Sequence, residues 1–73
     1  MLYIQLQDII SNRDNVESYI LFRDIEDWCL DHIPNNRWRF DYSSMLCVYG
    51  IDIPGRILFY LDKDAAAFIL KFN

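Results

Sequence analysis

The chain has no threonine, one histidine, two glycines and two cysteines, and each shortage removes a class of chemistry. Nucleophilic catalysis needs a hydroxyl or thiol beside a positioned base, and the only histidine, His32, belongs to no such motif. A structural zinc site takes four ligands at short spacings, which one histidine and the well-separated Cys29 and Cys47 do not supply. Gly50 and Gly55 are too few to build a glycine-rich phosphate loop. An EF-hand is excluded because its loop glycine and its closing glutamate are both missing. These shortages predict a protein that is not an enzyme and carries no metal or cofactor.

Long apolar runs are also missing. None approaches the ~20 residues a membrane-spanning helix needs, and the first residues lack the basic and apolar regions of a signal peptide. The expectation is a cytoplasmic protein with no membrane contact. Positive charge is scarce: five Arg and two Lys stand against nine Asp and two Glu, leaving a net charge of −4. That sign argues against direct nucleic-acid binding. Cys29 and Cys47 both lie in apolar segments, which predicts buried, reduced thiols for the pair.

Apolar and aromatic residues are plentiful, at 53% and 16% of the chain, which excludes disorder and predicts an aromatic core together with some exposed aromatic surface. Seventy-three residues make a single domain, 1–73, close to the lower limit for folding alone. A chain of this size is expected to draw part of its stability from a partner or from a second copy of itself.

Along the chain, residues 1–10 fit two patterns. Leu2, Ile4 and Leu6 share a strand face, while Leu2, Leu6, Ile9 and Ile10 fit a helical stripe. The polar stretch that follows offers Ser11 and Asp14 as helix caps. Between Val16 and Ile33 the apolar positions recur at three and four residues, predicting one amphipathic helix. A competing parse makes residues 19–22 a short strand and starts the helix at Asp24, with Pro34 ending it in either case.

From Arg37 to Tyr42 the alternation is clean, with Trp38, Phe40 and Tyr42 on one face and Arg37, Arg39 and Asp41 on the other. Ser43 and Ser44 read as a turn, and Met45 to Ile51, apolar on both faces, as the central strand. Ile53-Pro54-Gly55-Arg56 has the signature of a type II turn leading into a strand at residues 56–61. Asp62 or Asp64 caps a short alanine-rich helix, and residues 69–72 end as an extended edge. A faint echo, Ile20-Leu21-Phe22 with Asp27 against Ile57-Leu58-Phe59 with Asp64, would favour a ferredoxin-like or split βαβ arrangement. Together these segments predict an α+β fold: a small antiparallel sheet of three to four strands packed against one main helix, with a short C-terminal helix.

Candidate contact residues fall into two groups. Asp24, Asp27 and Asp31 are spaced to line one helical face beside Trp28, giving an acidic and aromatic strip that fits a basic groove on a nucleic-acid-handling complex. Arg37 and Arg39 project from the other face of their strand, where they suit a carboxylate or phosphate, or pair with Asp41 or Asp52.

The run Arg56-Ile57-Leu58-Phe59-Tyr60-Leu61-Asp62-Lys63-Asp64-Ala65-Ala66-Ala67-Phe68-Ile69-Leu70-Lys71-Phe72 resembles the endings of small accessory proteins of tailed phages. They too close with an aliphatic and aromatic strand, an Asp-Ala helix start and a Phe-x-Leu-Lys-aromatic tail. The resemblance covers about a quarter of the chain and carries no catalytic residue. It implies a phage product in the bacterial cytoplasm that binds and inhibits a host protein or defence complex. The alternative is a minor structural or assembly protein that acts as a higher oligomer through its sheet edge, whereas the inhibitor reading expects a monomer or a homodimer.

Overall fold

The computed structural model describes the backbone of residues 1–10, 15–48 and 50–72. The candidate caps Ser11 and Asp14, the side chain of Val16 and all of Tyr49 lie outside the described residues. The elements follow in the order β1 (Leu2–Gln5), α1 (Leu6–Ile10), α2 (Asn15–His32), a 3-10 turn (Asn35–Arg37), β2 (Trp38–Val48), β3 (Ile51–Phe59) and α3 (Asp62–Phe72). The three strands form one antiparallel sheet in the order β1-β3-β2, so the architecture is α+β.

Both patterns in residues 1–10 are realised in turn. Leu2 and Ile4 share the strand face opposite Phe59 and Ile57, where Ile4 packs on the core and Leu2 stays exposed at its margin, and the chain then coils so that Leu6 and Ile10, four apart, are buried from a short helix. The long helix parse is the one adopted at residues 15–32: Ile25 and Cys29 are fully buried, and the helix ends just before Pro34, whose ring disfavours helical backbone in the preceding residue. Ile20-Leu21-Phe22 is therefore helical while Ile57-Leu58-Phe59 is strand, so the echo between them reflects no shared structure, and the split βαβ arrangement it would favour is not formed.

The sheet differs from expectation in which strand is central. The strand between the other two is β3, and Ile57, Leu58 and Phe59 are each 0% exposed. Met45 to Val48 instead continue β2 on the open side of the sheet. Ser43 and Ser44 make no turn. They form a β-bulge where the β2·β3 register shifts between Asp41, opposite Arg56, and Met45, opposite Pro54. The chain reverses next to Gly50, whose φ of 76° lies in the left-handed region that glycine adopts at little cost.

Pro54 and Gly55 lie inside β3, not in a type II turn. Gly55 faces the bulge, and a Cβ built there would stand 2.7 Å from the Ser44 carbonyl oxygen. The missing side chain admits the extra backbone of β2, a demand unrelated to turn geometry. At the C-terminus, α3 runs on to Phe72 as helix and not as an extended edge, because Phe68 and Phe72, four apart, both pack inward.

The helices cover one face of the sheet. The main core joins Leu6, Ile25, Cys29, Ile33, Phe40, Ile57, Phe59, Ala65 and Phe68, with aromatic pairs such as Phe59–Phe68 at 5.2 Å and Phe22–Phe40 at 5.2 Å between ring centroids. Pairs of this kind add about 0.5–1.5 kcal/mol each beyond area burial. A smaller cluster of Ile10 and Ile53 with Tyr19, Leu21, Phe22 and Leu46 ties the far part of the β2–β3 hairpin to the helices. Burial pushes the Cys29 thiol up to about 12, which makes it inert. Cys47 departs from expectation: it is exposed, opposite Asp52 on the hairpin arm.

Gly55→Ala is expected to destabilise the fold by roughly 2 kcal/mol, since backbone on both strands must move. A thermal melt should show the loss as a fall in Tm of about 10 °C. An unchanged Tm would mean that the bulge does not need the close approach at Ser44.

Candidate functional site

The sheet face away from the helices follows from strand alternation. Ile57 and Phe59 point to the core, so Arg56 and Leu58 point outward, with Gln5 and Tyr3 opposite them on β1 and Asp41 and Arg39 opposite them on β2. Arg56 organises this surface. Its Nη2 donates to Asp41 Oδ2 and, at 3.3 Å, to Ser43 Oγ, while its guanidinium carbon lies 4.6 Å from the centre of the Tyr3 ring. Asp41 Oδ1 in turn accepts from the Ser43 backbone N–H at 3.0 Å and from Ser43 Oγ–H at 2.7 Å. These two Ser43 hydrogen bonds, with Arg56 adding to them, hold the Asp41 carboxyl below the usual carboxylate range. Leu58 is fully buried even on this outward face, with Tyr3 and Arg39 as its cross-strand neighbours.

The two arginines expected to act together are separated. Arg37 sits in the 3-10 turn and reaches α3, where Nη2 donates to Asp64 Oδ1 at 3.2 Å and Nε makes a 3.1 Å ionic contact with Oδ2 that lacks hydrogen-bond alignment. Asp64 is buried, so this arginine serves to neutralise a carboxylate in the first turn of α3. Arg39 remains exposed on the outer sheet face. The cross-strand partner of Asp41 is Arg56, a residue that alternation within β3 marks as outward-facing but that the supposed turn at Pro54-Gly55 obscured.

Asp24, Asp27 and Asp31 are all exposed on α2, and helical spacing puts them on one solvent face with Ile20. Among the described residues none of the three makes a salt bridge. Ile20 and Leu30, both 55% exposed, flank the stripe; the apolar spacing of the helix assigns Ile20 to its buried face, yet it lies on the solvent side, and Leu30 carries no such assignment. A helical-wheel reading of exposed large aliphatics would have found them.

Trp28 is half-buried between the helices. Its ring stacks on His32 at 4.9 Å and meets Phe68 at 6.1 Å and Phe72 at 5.8 Å. His32 Nδ1 also donates to the Trp28 carbonyl oxygen one helical turn earlier, at 2.9 Å, which fixes the imidazole against the indole. An open notch of about 420 Å³ next to it is lined by residues 30–35. Among the described residues no group of three His, Cys, Asp or Glu side chains is placed to hold a metal ion.

Two substitutions separate structural from contact roles. Trp28→Ala should cost about 2–3 kcal/mol in chemical denaturation, less than for a fully buried aromatic, while Trp28→Phe should keep most of the stability. Loss of partner capture at an unchanged Tm would instead place Trp28 on the contact surface. Arg37→Ala, which leaves the Asp64 carboxylate buried and alone, should cost roughly 2 kcal/mol, with Arg37→Lys intermediate. No change in the denaturation midpoint would show that the pair contributes nothing to folding.

No helix among the described residues is long and apolar enough to cross a membrane. No family model, curated protein or solved structure matches the chain.

Proposed function

We propose that this protein is a non-enzymatic binding module that docks on a basic protein surface through the solvent face of α2. The observation that carries the reading is the stripe of Asp24, Asp27 and Asp31, three carboxylates aligned on one face without salt-bridge partners among the described residues. Like charges at these spacings cost a few tenths of a kcal/mol per pair in the free helix, and a cationic partner removes that cost. Ile20 and Leu30 supply apolar contact at the margins of the stripe, a mix of anchor and charge suited to a specific interface.

The likeness of residues 56–72 to the endings of tailed-phage accessory proteins supplies the finer reading. The partner is then a host protein or defence complex in the bacterial cytoplasm, one that handles nucleic acid and so presents a basic groove. Occupying that groove with carboxylates inhibits the host complex without chemistry.

The triple substitution Asp24→Asn, Asp27→Asn, Asp31→Asn tests this directly. Tagged protein should retain from host lysate a stoichiometric basic partner that the triple variant fails to hold, and the wild-type complex should weaken steeply as salt is raised. The variant's Tm should match or exceed that of the wild type, since only repulsion has been removed. Equal capture by the variant would move the interface off α2.

A further inference from the structure

The open edge of the sheet carries a pattern independent of the acidic stripe. The strand β2 has β3 on one side and, among the described residues, no strand on the other, so much of an 11-residue strand presents unpaired main chain. Exposed edges of this length invite pairing with another strand unless they are blocked. Common blocks are proline and inward-pointing charge, and neither occurs in the segment Trp38-Arg39-Phe40-Asp41-Tyr42.

Which main-chain groups face the edge follows from one hydrogen bond. The Tyr60 N–H donates to the Arg37 carbonyl at 3.0 Å, and these residues stand opposite each other in the register that continues through Trp38–Phe59. Antiparallel ladders alternate between bonded and non-bonded pairs, so Arg39 and Asp41 also direct their N–H and C=O toward β3. Trp38 and Phe40 direct theirs outward, as does the Tyr42 N–H, which shares a peptide unit with the Asp41 carbonyl.

We propose that β2 pairs antiparallel with β2 of a second copy of this chain, about a two-fold axis through Phe40, so that the two sheets become one. In this register Phe40 meets Phe40, Trp38 meets Tyr42 and Arg39 meets Asp41 of the other copy, each contact occurring in both directions where the residues differ. The outward N–H and C=O of Phe40, the Trp38 C=O and the Tyr42 N–H then satisfy one another with about four hydrogen bonds. Side chains agree with the backbone. Arg39 and Asp41 lie on the outer face, where opposite charges stand side by side, and Asp41 then sits between Arg56 of its own chain and Arg39 of the other. The aromatic residues lie on the inner face, where Tyr42 is 64% exposed in the single chain and gains a ring neighbour.

Self-complementarity is what marks the occupant as a second copy. The order aromatic, positive, aromatic, negative, aromatic reads as its own complement when reversed, which a foreign strand need not match and an isologous dimer requires. The acidic face of α2 takes no part in this pairing, so the dimer and the partner-binding reading stand or fall separately.

Sedimentation of the full chain over a range of concentrations, paired with amide hydrogen exchange, tests the inference. The expected result is a reversible dimer in which the Phe40 and Tyr42 amides gain at least tenfold protection as concentration rises, while the Arg39 and Asp41 amides are protected throughout. Arg39→Asp, which sets two carboxylates against each other at each end, should weaken the dimer at least tenfold with circular dichroism unchanged. Tyr42→Pro, which removes an outward N–H, should also weaken it. A chain that stays monomeric at its highest concentration overturns the proposal, as does a dimer whose outward amides exchange freely. Protection of those amides only in the presence of a captured foreign protein also overturns it, in favour of a donated strand.

Discussion

Burial of β3 on both faces is the constraint from which the other features follow. It is the strand with a hydrogen-bonded neighbour on each side, and Ile57, Leu58 and Phe59 are wholly withdrawn from water even though successive side chains point to opposite faces. On the inner face α2 and α3 meet this demand with Ile25, Cys29 and Phe68. Among the described residues no helix lies on the outer face over Leu58, and its neighbours on the flanking strands are Tyr3 and Arg39. The long aliphatic stem of an arginine at such a position is able to lie over a leucine while the guanidinium stays wet.

The same constraint explains the bulge. The strand β2 must follow β3 past Gly55 yet carries extra backbone between Asp41 and Met45. Asp41 binds Ser43 through both main chain and side chain, and Arg56 on β3 clamps the same carboxylate, so the extra residues are held by polar contacts on the wet face while the inner face keeps its apolar contacts. Because the Asp41 carboxyl is held below its ordinary range, the clamp is fully present above about pH 4 and is lost only as the pH falls through the lowered value.

Sequence reading recovered what depends on local periodicity and missed what depends on two segments meeting. The α+β class, the alternation from Trp38 to Tyr42 and the exposure of Asp24, Asp27 and Asp31 follow from three-, four- and two-residue spacings within single elements. Pro54-Gly55 has the local chemistry of a turn, yet its glycine answers a carbonyl on another strand that no local rule contains. Sequence reading gives Arg37 a bound anion, or Asp41 or Asp52 across the strands, because its partner Asp64 lies 27 positions away on α3. The doubly apolar segment Met45 to Ile51 suggested a central strand, but part of its apolar character serves the small hairpin cluster with Ile10 and Ile53.

The two proposed surfaces are geometrically compatible, and their combination has a consequence neither has alone. A two-fold axis through Phe40 runs perpendicular to the sheet, and rotation about such an axis leaves the helices of both copies on the same side. The paired protein therefore presents two acidic stripes from α2 in a common direction, held at a fixed separation by a continuous sheet. Partner affinity per stripe can be modest under those conditions. The second contact is intramolecular once the first is made, so a bivalent or repetitive basic target is held far more tightly than a monovalent one. A chain too small to offer a large interface of its own gains one by doubling, which ties the open edge of β2 to the charge on α2 through the physics of effective concentration.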